Sequence, residues 1–189
     1  MQDYIYLVLS SSSSFPAKVI KFFSRNSLNH SSIAIDKSLK EMYSFGRLVL
    51  WNPFHGGFVK EDKDKGFYIK FTDTYINMYR FPVSKETYNE TKEYLETAYN
   101  NKKAFKYNFM GVVLGVFNIP ICRENQYFCS EFVAKVFQDC SIREIPRDVH
   151  TYRPYYFEEL LDKELIYDGM LSDYDPQKVY VEEKEKIAV

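Results

Sequence analysis

Tyr127-Phe128-Cys129-Ser130-Glu131-Phe132-Val133-Ala134-Lys135-Val136-Phe137 reads as the start and body of a helix. Phe128, Phe132, Val133, Val136, Phe137 and Cys140 recur at i, i+4, i+5, i+8, i+9 and i+12, which makes one continuous apolar stripe fit for burial. Cys129 lies off the stripe, in the first turn. There unpaired backbone N–H groups and the helix dipole favour negative charge, the setting in which a thiol becomes a thiolate near neutral pH. An ordinary buried cysteine at a helix start gives the same pattern, so a catalytic reading needs a base elsewhere in the chain.

Upstream, Asn29-His30-Ser31-Ser32-Ile33-Ala34-Ile35-Asp36 alternates with a period of two. Ile33 and Ile35 point to one face; His30, Ser32 and Ala34 point to the other, a face of small residues carrying one imidazole. Lys37 to Lys40 make a turn, and Glu41-Met42-Tyr43-Ser44-Phe45-Gly46 returns as the second strand of a hairpin. With Tyr43 and Phe45 joining the isoleucines in the core, Met42 and Ser44 share the face of His30 and Glu41 points away from it. A thiol at a helix start and a histidine on a strand lined with small residues supply a nucleophile and a base.

The rest of the chain frames these two stretches. Tyr4 to Leu9 is a run of the buried-strand type; Ser14 and Pro16 open a helix through Arg25. Residues 47–66 read as a turn-rich loop around Trp51 to Phe58, followed by a solvated charge run from Lys60 to Lys65. Phe67 to Phe71 and Tyr75 to Phe81 alternate around Thr72-Asp73-Thr74 as another hairpin. Ser84 caps a helix of about four turns to Asn100, with Tyr88, Thr91, Tyr94, Leu95 and Ala98 along its inner side. Phe109 to Val116 fits either a helix or a strand. A last short helix spans Tyr155 to Lys163. The expected organisation is α+β, one domain over residues 1–170 with a polar C-terminal tail over 171–189.

Composition narrows the partners. The chain has 189 residues, a net charge of -1 and no basic stripe, which argues against nucleic acid. Its 17 Tyr and 16 Phe suit half-buried strands and cleft walls. Three cysteines, at 122, 129 and 140, give an odd count without a CxxC pair, so neither a disulfide framework nor a structural metal site is expected. Reduced thiols point to a cytoplasmic setting. No basic segment precedes Tyr4 to Leu9, and Met110 to Ile121 is too short to span a bilayer, so no signal peptide and no membrane span are expected.

The Asn29 to Asp36 strand, its hairpin and the Tyr127 to Val133 motif resemble the circularly permuted branch of the NlpC-type papain-like cysteine hydrolases. That branch includes the YiiX-like proteins and the lecithin:retinol acyltransferase group. In it the histidine strand precedes the cysteine helix, as here, and Met42 to Arg47 also looks like the YiiX-like members. The resemblance covers roughly residues 4–165. It implies an antiparallel sheet packed against helices, Cys129 as nucleophile, His30 as general base and no cofactor. It also implies a peptide, amide or lipid-ester substrate cleaved through a thioester. The Cys129 backbone N–H would be one oxyanion donor; the residues do not name the second, the substrate-binding residues or the oligomeric state. Family members place a polar residue, often Glu or His, on the next strand to orient the imidazole. Strand parity offers Ser44 there, with Glu41 available only through a bulge. A neutral serine stabilises imidazolium less than a carboxylate does, which leaves open a binding module with a weak or inactive site. An interaction protein in which Cys129 and His30 are incidental is the other class left open.

Overall fold

In chain order the regular elements are β1 (Asp3–Ser11), β2 (His30–Ala34), β3 (Met42–Arg47), β4 (Gly56–Glu61), α1 (Phe67–Lys70), β5 (Tyr75–Val83), α2 (Lys85–Asn100), β6 (Lys106–Tyr107), α3 (Phe109–Gly115), β7 (Gln126–Tyr127), α4 (Cys129–Asp139) and β8 (Glu164–Met170). The computed structural model describes residues 2–11, 28–49, 55–115 and 117–179. The helix expected from Ser14 to Arg25 and the loop around Trp51 lie outside the described residues, save the loop's last residues.

Six strands form one antiparallel sheet in the order β4-β3-β2-β1-β5-β8, and β6 and β7 make a short parallel pair. The chain is therefore α+β. Both faces of the sheet are covered. Ile5, Leu7, Leu9, Ile33, Tyr43, Phe45 and Phe58 face Phe132, Val133, Val136 and Phe137 of α4 and Leu95 and Ala98 of α2. Tyr6, Val8, Ala34, Met42, Ile76 and Met78 face a second core closed by Tyr68 of α1 with Leu171, Tyr174 and Val179. Burial on both sides is why Tyr4 to Leu9 is an unbroken apolar run rather than an alternation.

The aromatic excess has a structural use on the α4 side. Phe45 has the rings of Phe58, Phe105, Tyr127 and Phe132 around it, with centroids 5.3 to 6.1 Å away. Such pairs add about 0.5–1.5 kcal/mol each beyond buried area, and this cluster ties β3, β4, β7 and α4 together. At the start of α2, Ser84 Oγ accepts the Thr87 N–H at 3.1 Å, and Thr91, Leu95 and Ala98 are its buried face.

Four sequence expectations change. Residues 56–61 form β4, because Phe58 packs in the α4-side core while Val59 and Glu61 stand in register with Ser44 and Met42. Phe67 to Lys70 is a helical turn, α1, and β5 pairs with β1 and β8 instead of with a local hairpin partner. Residues 154–159 are a short 3-10 segment, and Glu164 to Met170 continues as edge strand β8. The packed structure runs on past 170, since Leu171, Tyr174 and Val179 are buried. The ambiguous 109–116 segment is helical over its described part, 109–115.

Candidate active site

α4 starts at Cys129, after Phe128 in an extended conformation, and lies against β2 and β3. Its first turn is anchored by its own polar residues. Glu131 Oε2 accepts the Phe128 N–H at 3.2 Å, Glu131 Oε1 meets His150 Nδ1 at 2.7 Å, and Ser130 Oγ donates to the Tyr152 carbonyl at 2.6 Å. The thiol is thus held by a turn pinned at both ends, and Cys129 itself is buried.

β2 offers the partner. It pairs with β3 at Ile33↔Tyr43 and Ala34↔Met42 alone, so the two strands part toward His30. Cys129 comes to that end of the sheet, near enough to the His30 ring for each to stabilise the other's charged form, with the backbone N–H groups of Ser31 and Ser130 also favouring charge on the sulfur.

The other side of the imidazole is held by a residue that the sequence reading passed over. His30 Nε2 lies 3.2 Å from Glu61 Oε1. With Nε2 engaged by Glu61, Nδ1 is the nitrogen left to serve the thiol. The Glu61 carboxylate is deeply set and well supplied with donors: Ser32 Oγ donates to Oε2 at 2.6 Å and Tyr68 OH at 3.3 Å. Ser44 lies beside the carboxylate and helps to stabilise its charge, but it is outside hydrogen-bond geometry and does not touch the imidazole. Glu41 is elsewhere, paired with Lys60 at 2.7 Å. Of the three expected site residues, Cys129 and His30 meet, and Ser44 gives way to Glu61 as the group that orients the ring.

The signal for Glu61 was in the chain. Gly57, Val59 and Glu61 alternate with Phe58 and Lys60, and the register Met42↔Glu61 puts the carboxylate on the same sheet face as Ser44. The run of charges after Lys60 made the segment look like a solvated loop.

Electrostatics follow from this packing. Burial opposes charge on all three groups, but the Glu61 carboxylate and the neighbouring Cys129 outweigh it at His30, whose pKa is raised to about 10. Burial pushes the Cys129 thiol up, yet the neighbouring His30 imidazolium and the two backbone N–H groups bring it below its ordinary value. Burial likewise pushes Glu61 up, and the His30 charge with the His30 and Ser32 hydrogen bonds brings it below the usual carboxylate range. The arrangement stabilises a thiolate and an imidazolium side by side.

Tyr107 stands close by. Its ring backs onto Gly56, where a Cβ would come within 2.8 Å of it, and burial together with the nearby Cys129 charge keeps its phenol protonated well above the ordinary range. Among the described residues, no group of three or more His, Cys, Asp or Glu side chains could hold a metal ion, and no helix is long and apolar enough to cross a membrane. No family model, no curated protein and no solved structure matches the chain.

Proposed function

We propose that the protein is a cysteine hydrolase or acyltransferase of the permuted papain-like kind, acting on a peptide, amide or lipid-ester carbonyl. The observation that carries this reading is the Cys129–His30–Glu61 chain of contacts, with the thiol at a helix start. The Cys129 thiolate attacks the carbonyl carbon, forming the C–S bond as the C=O electron pair moves onto oxygen. Collapse of that intermediate expels the amine or alcohol, which takes its proton from the His30 imidazolium. Neutral His30 then removes a proton from water or another acceptor. Attack of that acceptor on the thioester releases the acyl product and restores the Cys129 thiolate and His30 imidazolium. Glu61 fixes the ring and stabilises its charged form without taking the proton itself. With a carboxylate in the orienting place, the argument for an inactive binding module that rested on a neutral Ser44 loses its basis.

Iodoacetamide labelling read by peptide mass spectrometry tests the proposal. Cys129 should label ahead of Cys122 and Cys140 at about pH 6, because the neighbouring imidazolium and backbone N–H groups bring its thiol below the ordinary value, whereas burial pushes the Cys140 thiol up. His30→Ala should slow that labelling strongly at about pH 6 and little above about pH 9, where the thiolate forms without help. Equal labelling of the three thiols in the folded protein, or a Cys129 rate indifferent to His30, would favour the binding-module reading.

A further inference from the structure

Large apolar side chains exposed singly are ordinary on a protein surface, but here they are unevenly spread. Among the described residues, five of the ten exposed large hydrophobic side chains fall within 109–119: Phe109, Met110, Val113, Phe117 and Ile119, between 38 and 67 % exposed. Over this stretch the usual order of a helix is inverted. The residues that α3 buries are Gly111 and Gly115, while its bulk points outward. A Cβ at Gly111 would come within 2.5 Å of the Asn108 side chain, so the missing side chain is what lets α3 sit so close. A surface helix ordinarily turns its apolar side inward, and one that does the reverse offers that side to something outside the fold.

The exposure is held in place by hydrogen bonds. Asn108 ties both ends of the segment, its Oδ1 accepting the Gly111 N–H at 2.8 Å and its Nδ2 donating to the Ile121 carbonyl at 3.1 Å. After α3 the Asn118 N–H donates to the Gly115 carbonyl at 3.0 Å and the Ile119 N–H to the Leu114 carbonyl at 3.1 Å, with Asn118 left-handed at φ 55°, the pattern of a Schellman closure. Arg153 donates to the Gly115 carbonyl at 2.7 Å. Phe117 and Ile119 are therefore carried on a fixed projection, a compact surface loop with its ends together.

The base of the projection is cationic. Lys106 stands in register with Gln126 and Arg123 bridges to the same residue, so the two basic side chains come from neighbouring backbone; Lys102 and Lys103 lie on the turn just before. All four are exposed. No Asp or Glu occurs from Lys102 to Arg123, in a chain whose net charge is -1. Apolar side chains standing on a rim of cations match the interface of an anionic bilayer, where the first enter the acyl boundary and the second meet the headgroups. A second copy docking through the same face would set two cationic rims against each other. With 7 residues α3 is far too short to cross a bilayer, so the contact is with one leaflet.

We infer that the 109–119 projection docks on the surface of a lipid bilayer carrying anionic headgroups, with Val113 and Phe117 entering the leaflet and Lys102, Lys103 and Lys106 meeting the headgroups. The inference stands apart from the hydrolase reading, although the docking face borders that site. The Phe109 ring lies 4.5 Å from the ring of Tyr107, which backs onto Gly56 and senses the charge of Cys129.

Co-sedimentation of the full chain with vesicles tests this. Phosphatidylcholine vesicles with about 30 % phosphatidylglycerol should retain the protein, phosphatidylcholine alone should retain far less, and raising salt from about 0.05 to 0.5 M should release the protein from the mixed vesicles. Val113→Ser combined with Phe117→Ser should weaken binding to the mixed vesicles by about tenfold or more, because two side chains no longer leave water. Lys102→Gln, Lys103→Gln and Lys106→Gln should weaken it by about fivefold for each lysine removed. Leu161→Ser, at a 78 % exposed leucine outside the projection, should bind like wild type. Every one of these side chains is exposed, so melting temperatures should stay close to that of wild type. The proposal is overturned by a protein that the mixed vesicles do not retain, or by retention that Val113→Ser with Phe117→Ser leaves unchanged, which is adsorption by charge alone. A dimer in vesicle-free solution that the same pair abolishes would assign the face to a second copy instead. Cys129 labelling needs no vesicle and reports on the hydrolase reading separately.

Discussion

Glu61 decides how far the charged pair at Cys129 and His30 extends along the pH scale. The folded imidazole value, about 10, lies above its ordinary 6.5, so His30 remains an imidazolium through neutrality. Glu61→Gln keeps the shape of the side chain and removes the charge that does most to hold that value up. The expected result is a thiol that ionises at higher pH, with alkylation slowed at about pH 6 and nearly unchanged above about pH 9. Stability follows the same sign. A group whose folded pKa is raised contributes fully below its unfolded value and loses that contribution as pH rises through the folded one. Cys129, lowered by the same contact, has already given up the proton that the unfolded thiol keeps up to about pH 9, which offsets the proton kept by His30. The gap in unfolding free energy between wild type and Glu61→Gln should therefore narrow only between about pH 9 and 10, measured by urea titration at several pH values. A gap that widens over this range would mean that His30 is neutral in the folded protein.

At the scale of elements, the first turn of α4 is positioned by Glu131, which is fully buried and bonded to His150 and to the Phe128 N–H. Glu131→Ala strands both partners, one of them a half-exposed histidine, and should cost about 2–3 kcal/mol, whereas Glu131→Gln keeps an acceptor and should cost less. Chemical denaturation of the two variants checks this ordering, and equal losses would mean that the cap is satisfied in another way. The elements that position the thiol and the imidazole were legible from sequence because each shows one strong period. The apolar stripe from Phe128 to Cys140 is buried as expected, and the alternation of β2 and β3 put Ile33, Tyr43 and Phe45 in one core. β4 was not legible: its two glycines and terminal charges read as loop, and its strand character comes from pairing with β3. α1 alternates like a strand over too few residues for period to arbitrate. β8 is a half-exposed edge strand whose partner, β5, lies some ninety residues earlier, a non-local pairing that no local pattern reports.

Across the whole molecule, the sheet is a wall between two cores, and the reactive groups approach its open end from both sides. Cys129 arrives with α4 on one face; Glu61 and Tyr68 stand on the other, where Leu171 and Tyr174 close the second core. The segment after residue 170 is consequently part of what holds the carboxylate in place. Leu171 is 6 % and Tyr174 4 % exposed, and the Tyr174 hydroxyl donates to the Lys37 carbonyl at 2.7 Å, bridging to the turn between β2 and β3. Truncating either side chain removes buried apolar surface and leaves a cavity, at about 2–5 kcal/mol for Leu171→Ala and about 3–5 kcal/mol for Tyr174→Ala. A peripheral polar tail would respond by no more than about 0.5 kcal/mol. Domains of this kind have about 5–15 kcal/mol in total, so Leu171→Ala combined with Tyr174→Ala should leave the chain largely unfolded or close to it. The single variants should unfold in one transition at lower urea, with Cys129 losing its excess reactivity over Cys122 and Cys140 at the same midpoint as the loss of tertiary signal. Loss of the Cys129 reactivity well before the tertiary signal would mean that the second core supports the site as a separate cooperative unit, and small shifts in both would return residues 171–179 to the status of a tail.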